Sequence, residues 1–326
     1  VTKAEFFIDL SKDSQSSLEA HHYLARSTAK GCFHNQQNVR MPFGIYNVSV
    51  HRVCDKLVRL CRRLESYFSV GRVAETPGNG SDDLMVEVID YIELTLYAAA
   101  EHVDDIDWIA TGYFAHREQR DKSAAYKTLQ KEMKQNKRFV SSAANAIKHQ
   151  QSRIRIYSMD YQQGPILGTL HGYFMEGVEA GVVGPSSVFH RTQEVFSVTT
   201  LVWEVIYFVL ASSLALCRFL KTIAVDLIEG PVQIQANDFS QAVAIAARLP
   251  AYTFGEEHPF ARAIFRIRSS SANHEPLESK LLGSAKNQWS QTVLHIGQQA
   301  TRFAGDGVSR SFRFVEPKVI TLIGWG

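Results

Sequence analysis

The stretch SVTTLVWEVIYFVLASSLALC, from Ser197 to Cys217, carries a single charge, Glu204, and admits only two placements. An apolar helix of this length either crosses a bilayer or lies at the centre of a protein, wrapped on every side. Its several Ser and Thr residues, its isolation and its ordinary flanks point to the second placement. A chain of 326 residues, 45% apolar and 21% charged, is long enough to build a shell around it. The opening VTKAEFFIDLSKD has early acids and no continuous apolar run, so it does not read as a secretory signal. Cys32, Cys54, Cys61 and Cys217 form no CxxC pair and no Cys/His cluster at metal spacing. A reducing, cytoplasmic setting with no membrane segment is expected.

Around the apolar helix the periodicity changes several times. Residues 1–50 are weakly periodic and read as an N-terminal arm, with KGCFHNQQNVRMPFG as loop. From His51, Val53, Leu57, Leu60, Cys61 and Leu64 share one helical face, with Lys56, Arg59, Arg62 and Arg63 largely outside it. ETPGNGSDD breaks the chain, and Ser81 or Asp82 suits the cap of a second helix. DDIDWIATGYFA predicts a third helix, and a long basic fourth runs from about Lys122 to His149. RIRIYSM and LGTLHGYFMEGV, on either side of Gly164-Pro165, then alternate as a β-hairpin. Helix returns over Gln193–Leu227 and in SQAVAIAARLP, ended by Pro250.

From His258 the composition favours strand: ARAIFRIR alternates apolar with basic residues, and an Asp306-Gly307 turn separates strand-like flanks. The expected fold is mainly α, in the α+β sense. A helical N-terminal and central region carries an inserted β-hairpin and a small β-rich C-terminal unit. The corresponding divisions are 1–50, 51–155, 156–250 and 251–326.

The net charge of +2 conceals an asymmetry. Between Arg117 and Arg155 there are eleven Lys or Arg against three acids, an excess of +8 that leaves the rest of the chain negative. Lys127, Lys131, Lys134, Lys137, Arg138 and Arg155 are the residues within it best suited to contact phosphates. A solvated helix face would produce the same count.

The end of this segment, ANAIKHQQSRIR, also carries candidate chemistry. On a helix Asn145 and His149 lie on one face, with Lys148 beside them and Arg153 about a turn further. Cleavage of RNA by its own 2′-hydroxyl needs a group that moves protons near neutral pH, as an imidazole does, and a cation to offset charge on the phosphorus oxygens. His149 suits the first task, Lys148 or Arg153 the second. The same residues also suit a plain helix end, where cations meet the negative end of the dipole.

NAIKH, late on a long helix of a helical unit, resembles the terminal motif of HEPN-type domains, over about Asp82 to Arg155. The family pattern is arginine, a polar residue, three further residues, then histidine. The polar position maps to Asn145, the histidine to His149 and the arginine to Ala144. The resemblance implies a bacterial RNA-binding protein of a toxin or antiviral defence system, either a metal-independent ribonuclease or an inactive relative of one. With Ala144 in the arginine position, Lys148 or Arg153 stands in, or the domain binds without cutting. No cofactor is implied.

Two other readings stand beside this one. A non-catalytic scaffold or subunit of a larger assembly, with a protein partner or a second copy of the chain, would expose an apolar face over Val198–Leu220. A metal enzyme would bring Glu19, His22, Glu101 or Asp104 to one point, whereas AEHVDDIDW reads more simply as an interhelix turn. Trp108, Trp203, Trp289 and Trp325 are scattered, and read as core or interface residues rather than a base-stacking platform. No P-loop, nucleophile elbow or strand-borne dinucleotide fingerprint appears.

Overall fold

The computed structural model describes residues 3–10, 18–70, 79–149, 152–163, 166–179, 182–190, 196–230, 238–249, 251–254, 262–268, 299–302, 309–312 and 320–323. In chain order the first elements are β1 (Ala4–Asp9), α1 (Glu19–Ala25), α2 (Pro42–Val70), α3 (Asn79–Thr111), α4 (Arg117–Lys122), α5 (Ala124–Asn136) and α6 (Arg138–His149). Next come β2 (Ile154–Gln163), β3 (Ile166–Glu179), β4 (Val182–Pro185), α7 (Ser187–His190), β5 (Phe196–Ser197) and α8 (Val198–Thr222). The last are α9 (Phe239–Ala246), β6 (Ala251–Phe254), β7 (Ala263–Arg268), β8 (Gln299–Arg302), β9 (Ser309–Phe312) and β10 (Ile320–Ile323). The fold is mainly helical with small sheets, as the periodicity predicts.

The apolar stretch forms α8. Ser197 caps it by accepting the Thr200 N–H, 3.1 Å away. By length and composition α8 could cross a membrane, yet 89% of its most apolar window is buried inside the protein. Helices α1, α2, α3, α5, α6 and α9 all pack on it. Each large apolar side chain fully buried there contributes about 1.5–3 kcal/mol. Glu204 is buried on this helix and is paired with Arg262, whose guanidinium also lies 4.4 Å from the Tyr207 ring centroid. Burial raises the Glu204 carboxyl pKa, and the arginine opposes that shift.

Helix α2 buries the face read from its spacing, Val53, Leu57, Leu60, Cys61 and Leu64. It starts earlier than expected, with Pro42 preset for a first turn. The N-terminal arm supplies β1, α1 and the start of α2, which runs across its boundary at residue 50, and α1 packs on α8. Helices α2 and α3 run antiparallel: Ser49 meets His102 near one end, and Arg63 meets Glu87 toward the other.

Two predicted helices are one in α3, which begins at Asn79, ahead of the expected caps Ser81 and Asp82. The acidic AEHVDDIDW does not turn, because Ala99, Val103, Ile106 and Ala110 keep the apolar spacing through it. The long basic helix, conversely, is three. Ser123 ends α4 and caps α5 by accepting the Tyr126 N–H, and the chain bends again at Lys137. This second bend lets α5 pack mainly on α8 and α6 mainly on α3.

Strands β2 and β3 form the expected hairpin, from Ile154 opposite Met175 to Gln163 opposite Ile166. The division at 155/156 falls inside β2. In β7, Ala263, Phe265 and Ile267 are buried as their alternation predicts. That strand pairs in parallel with β1, Ala4 opposite Ala263, which ties it to the N-terminal end of the described chain. Phe6 and Phe265 pack against Tyr207 and Trp203 of α8. Strand β6 pairs with β10, and β8 with β9. The Gly164-Pro165 and Asp306-Gly307 turns lie outside the described residues.

Candidate nucleic-acid interface

Helix α6 turns Val140, Ala143, Ala144 and Ile147 inward, so Asn145, Lys148 and His149 emerge on its exposed side. The Ser152 N–H donates to the Ala146 carbonyl at 3.2 Å, which returns the chain over the last turn and into β2. Lys148 places its Nζ 4.7 Å from the ring centroid of Tyr97 on α3. The charge of exposed Arg153 acts on Tyr97 and on Glu93, one turn earlier in α3. Partial burial raises the pKa of Glu93, Arg153 opposes this and Asp90 adds to it. Burial likewise raises Tyr97, reinforced by Glu93 and opposed by Arg153.

The end of α6 thus presents an amide and an imidazole, while Lys148 and Arg153 are drawn toward a half-buried Tyr/Glu pair. Asn145 and His149 make no hydrogen bond or ion pair among the described residues. Ala144, in the arginine position of the HEPN pattern, is 2% exposed and points into the protein. Sequence reasoning missed Glu93 and Tyr97. Their four-residue spacing on α3 puts them on one helix face, but nothing local shows that this face meets α6.

Along α5, Tyr126, Leu129 and Met133 are buried and Lys127, Lys131 and Lys134 form an exposed row. Arg138 is exposed where α6 begins, and Lys137 is half-buried at the bend. None of these five makes an ion pair among the described residues. Glu132, the acid within this run, is 2.7 Å from Arg218 of α8. The cations just upstream differ: Arg117 and Arg120 meet Asp121, and Lys122 meets Glu118. Arg52, Arg63, Arg248, Arg262 and Arg266 likewise each have a carboxylate. Five cations without a carboxylate among the described residues thus follow one another along α5 and the start of α6, while Arg26, Arg40, Arg62, Lys148 and Arg153 are others, set apart from that run.

Gln130, three residues after Lys127 and four before Lys134, donates its Nε2 to Asp107 Oδ1 of α3 at 2.7 Å. The Tyr126 hydroxyl donates to the same oxygen at 2.5 Å. The lysine row is thereby held beside the C-terminal half of α3.

Arg155 does not join this surface. It is 9% exposed and ion-paired with Glu176 of β3, so it is not offered to a phosphate. Arg262 and Arg266 are engaged by Glu204 and Glu5. The strand arginines consequently do not extend the basic helices into a shared groove.

Nor do the candidate metal ligands converge: Glu19 lies 3.9 Å from Lys221, Glu101 pairs with Arg52, and His102 is buried against Ser49. Among the described residues no group of three or more His, Cys, Asp or Glu is placed to hold a metal ion. The four cysteines are free, and burial raises the pKa of the Cys54 and Cys61 thiols. Compared with protein-family models, curated proteins and solved structures, the chain matches none.

Proposed function

We propose that this protein binds RNA, or another nucleic acid, through the exposed cations of α5 and the start of α6. The carrying observation is that, among the described residues, Lys127, Lys131, Lys134, Lys137 and Arg138 have no acid partner while most other cations have one. Leaving like charges uncompensated costs stability, and a phosphate backbone offsets that cost on binding. Such contacts hold the backbone without reading sequence. The HEPN resemblance adds a bacterial defence or toxin setting, and four free cysteines fit a cytoplasmic one. The scaffold reading is less favoured, because its expected apolar face on α8 is buried.

Metal-independent cleavage is a second reading, favoured by the joint exposure of Asn145 and His149. In it His149 takes the 2′-hydroxyl proton as that oxygen bonds phosphorus, the P–O5′ bond breaks, the imidazolium returns the proton to the departing 5′-oxygen, and Lys148 or Arg153 offsets charge on the phosphorus oxygens. One experiment separates these outcomes: end-labelled structured and single-stranded RNA, incubated in EDTA at two salt concentrations. The wild type should retain RNA, and K127Q/K131Q/K134Q should flatten the salt dependence by about 0.7–0.9 in log–log slope for each phosphate no longer neutralised. Cleavage abolished by His149→Ala would establish the second reading, and retention without cleavage would leave a binding module. Failure to retain any RNA would remove the proposal.

A further inference from the structure

Between the start of α2 and the C-terminal half of α3 lies a cleft of about 340 Å³ lined by Arg40, Ile45, Val48, Arg52, Asp105 and Trp108 among others. Of the two placements expected for the tryptophans, core or interface, Trp203 takes the core, whereas Trp108 is 52% exposed here. Trp289 and Trp325 lie outside the described residues. Val48, also exposed, extends the apolar wall. An indole left half in water beside such a wall is a surface awaiting a flat apolar partner.

The polar groups around it are presented from fixed positions. Arg52 is tied to Glu101. Arg40 follows a loop pinned to the chain just beyond α3: Gln37 Nε2 donates to the carbonyls of Phe114 and Ala115 at 3.0 and 2.7 Å, and the Phe33 N–H to that of Gly112 at 2.7 Å. Arg40 and Asp105 make no ion pair among the described residues. One cleft therefore holds a flat aromatic face, a free guanidinium and a free carboxylate.

We infer that this cleft receives one unpaired nucleobase, stacked on Trp108, with its phosphate on Arg40 and an N–H edge donating to Asp105. The inference rests on the proposed nucleic-acid function and narrows its substrate to single strands. A base inside a duplex has both faces stacked and its pairing edge occupied, so it cannot enter. The carboxylate favours guanine, whose adjacent N1–H and N2 amino group both donate. It disfavours uracil, whose single N3–H lies between two carbonyl oxygens.

The test uses the full chain with two probes. Single-stranded and blunt duplex RNA of equal length report on the strand, and guanosine monophosphate against uridine monophosphate, read by tryptophan quenching, reports on the cleft alone. Trp108→Ala should weaken single-strand binding about tenfold and leave duplex binding unchanged, with Trp108→Phe retaining most of the affinity. The guanine nucleotide should quench more than the uracil nucleotide, and Asp105→Asn should erase that difference. Equal single-strand affinity in wild type and Trp108→Ala, with RNA still retained through α5, overturns the cleft inference and spares the proposed function. Quenching by the nucleotide without retention of RNA does the reverse. If neither nucleotide quenches and RNA binding ignores Trp108, the indole is a protein-contact surface and the inference fails.

Discussion

Ala144 occupies the arginine position of the HEPN pattern, yet its side chain points away from Asn145 and His149 into the protein. An arginine there would have to displace packed neighbours or leave a charge without water. Ala144→Arg should therefore cost about 1–3 kcal/mol, seen as a lower urea midpoint, without conferring cleavage. A variant as stable as the wild type and newly active on RNA would show that the side chain can reach past the helix rim. The exposure of Asn145 and His149 was legible from helical spacing, because a single helix decides it. Tyr97 and Glu93 were not, since their meeting with α6 is tertiary. Arg155 misled for a related reason: Ile154 and Arg155 are adjacent, and alternation would leave one of them in water, but β2 is covered on both faces there.

Among the elements, α5 depends on one carboxylate. Asp107 accepts from Tyr126 and Gln130 and lies 3.6 Å from Arg120, so it joins α4 and α5 to α3. Asp107→Ala would leave the Tyr126 hydroxyl and the Gln130 amide without their acceptor, Arg120 keeping Asp121, and should cost about 1–3 kcal/mol. RNA retention should fall with it, because the lysine row would lose its fixed place. Unchanged retention in a destabilised variant would separate the row from its anchor. Helix boundaries were harder to read than helix faces. The acids of AEHVDDIDW suggested a break where the apolar spacing continues, and the uniform basic composition of Lys122–His149 hid two real ones. The cap at Ser123 was a local signal; the bend at Lys137 has no comparable residue.

For the whole molecule, buried histidines set the response to acid. His102 is pushed down to about 4 by burial, with Arg52 adding, and His190 to about 3 by burial. Burial also lowers His21, and its hydrogen bond to Asn47 opposes that shift. His190 is held neutral in another way too, because its Nε2 accepts the Met175 N–H at 2.8 Å and so cannot carry a proton. In the unfolded chain these groups titrate near 6.5. Their neutral forms therefore stabilise the fold fully above about pH 6.5, and that stability drains away as the pH falls toward 4 and then 3. Unfolding free energies from urea titrations at pH 7, 5 and 4 should decline by an amount on the order of a few kcal/mol. His102→Gln should reduce the decline, and a flat profile would contradict the burial. The helical class and the central place of α8 were both legible at this scale, since an apolar stretch of that length with a single charge has few other uses. The pairing of β1 with β7 was not, because parallel strands carry no local turn to announce a partner.

That pairing sets a timetable for biosynthesis. Ala4 is translated well before Ala263, and the helices of the described residues are all made between the two. At ordinary rates of translation the wait is roughly tens of seconds. Throughout it the nascent chain displays Phe6 and Ile8 on an unpaired strand, and α2 and α3 are formed before α8 exists to cover them. The early helices must then be sheltered by one another or by a chaperone, and a chain stopped before β7 would keep that sticky strand permanently on offer.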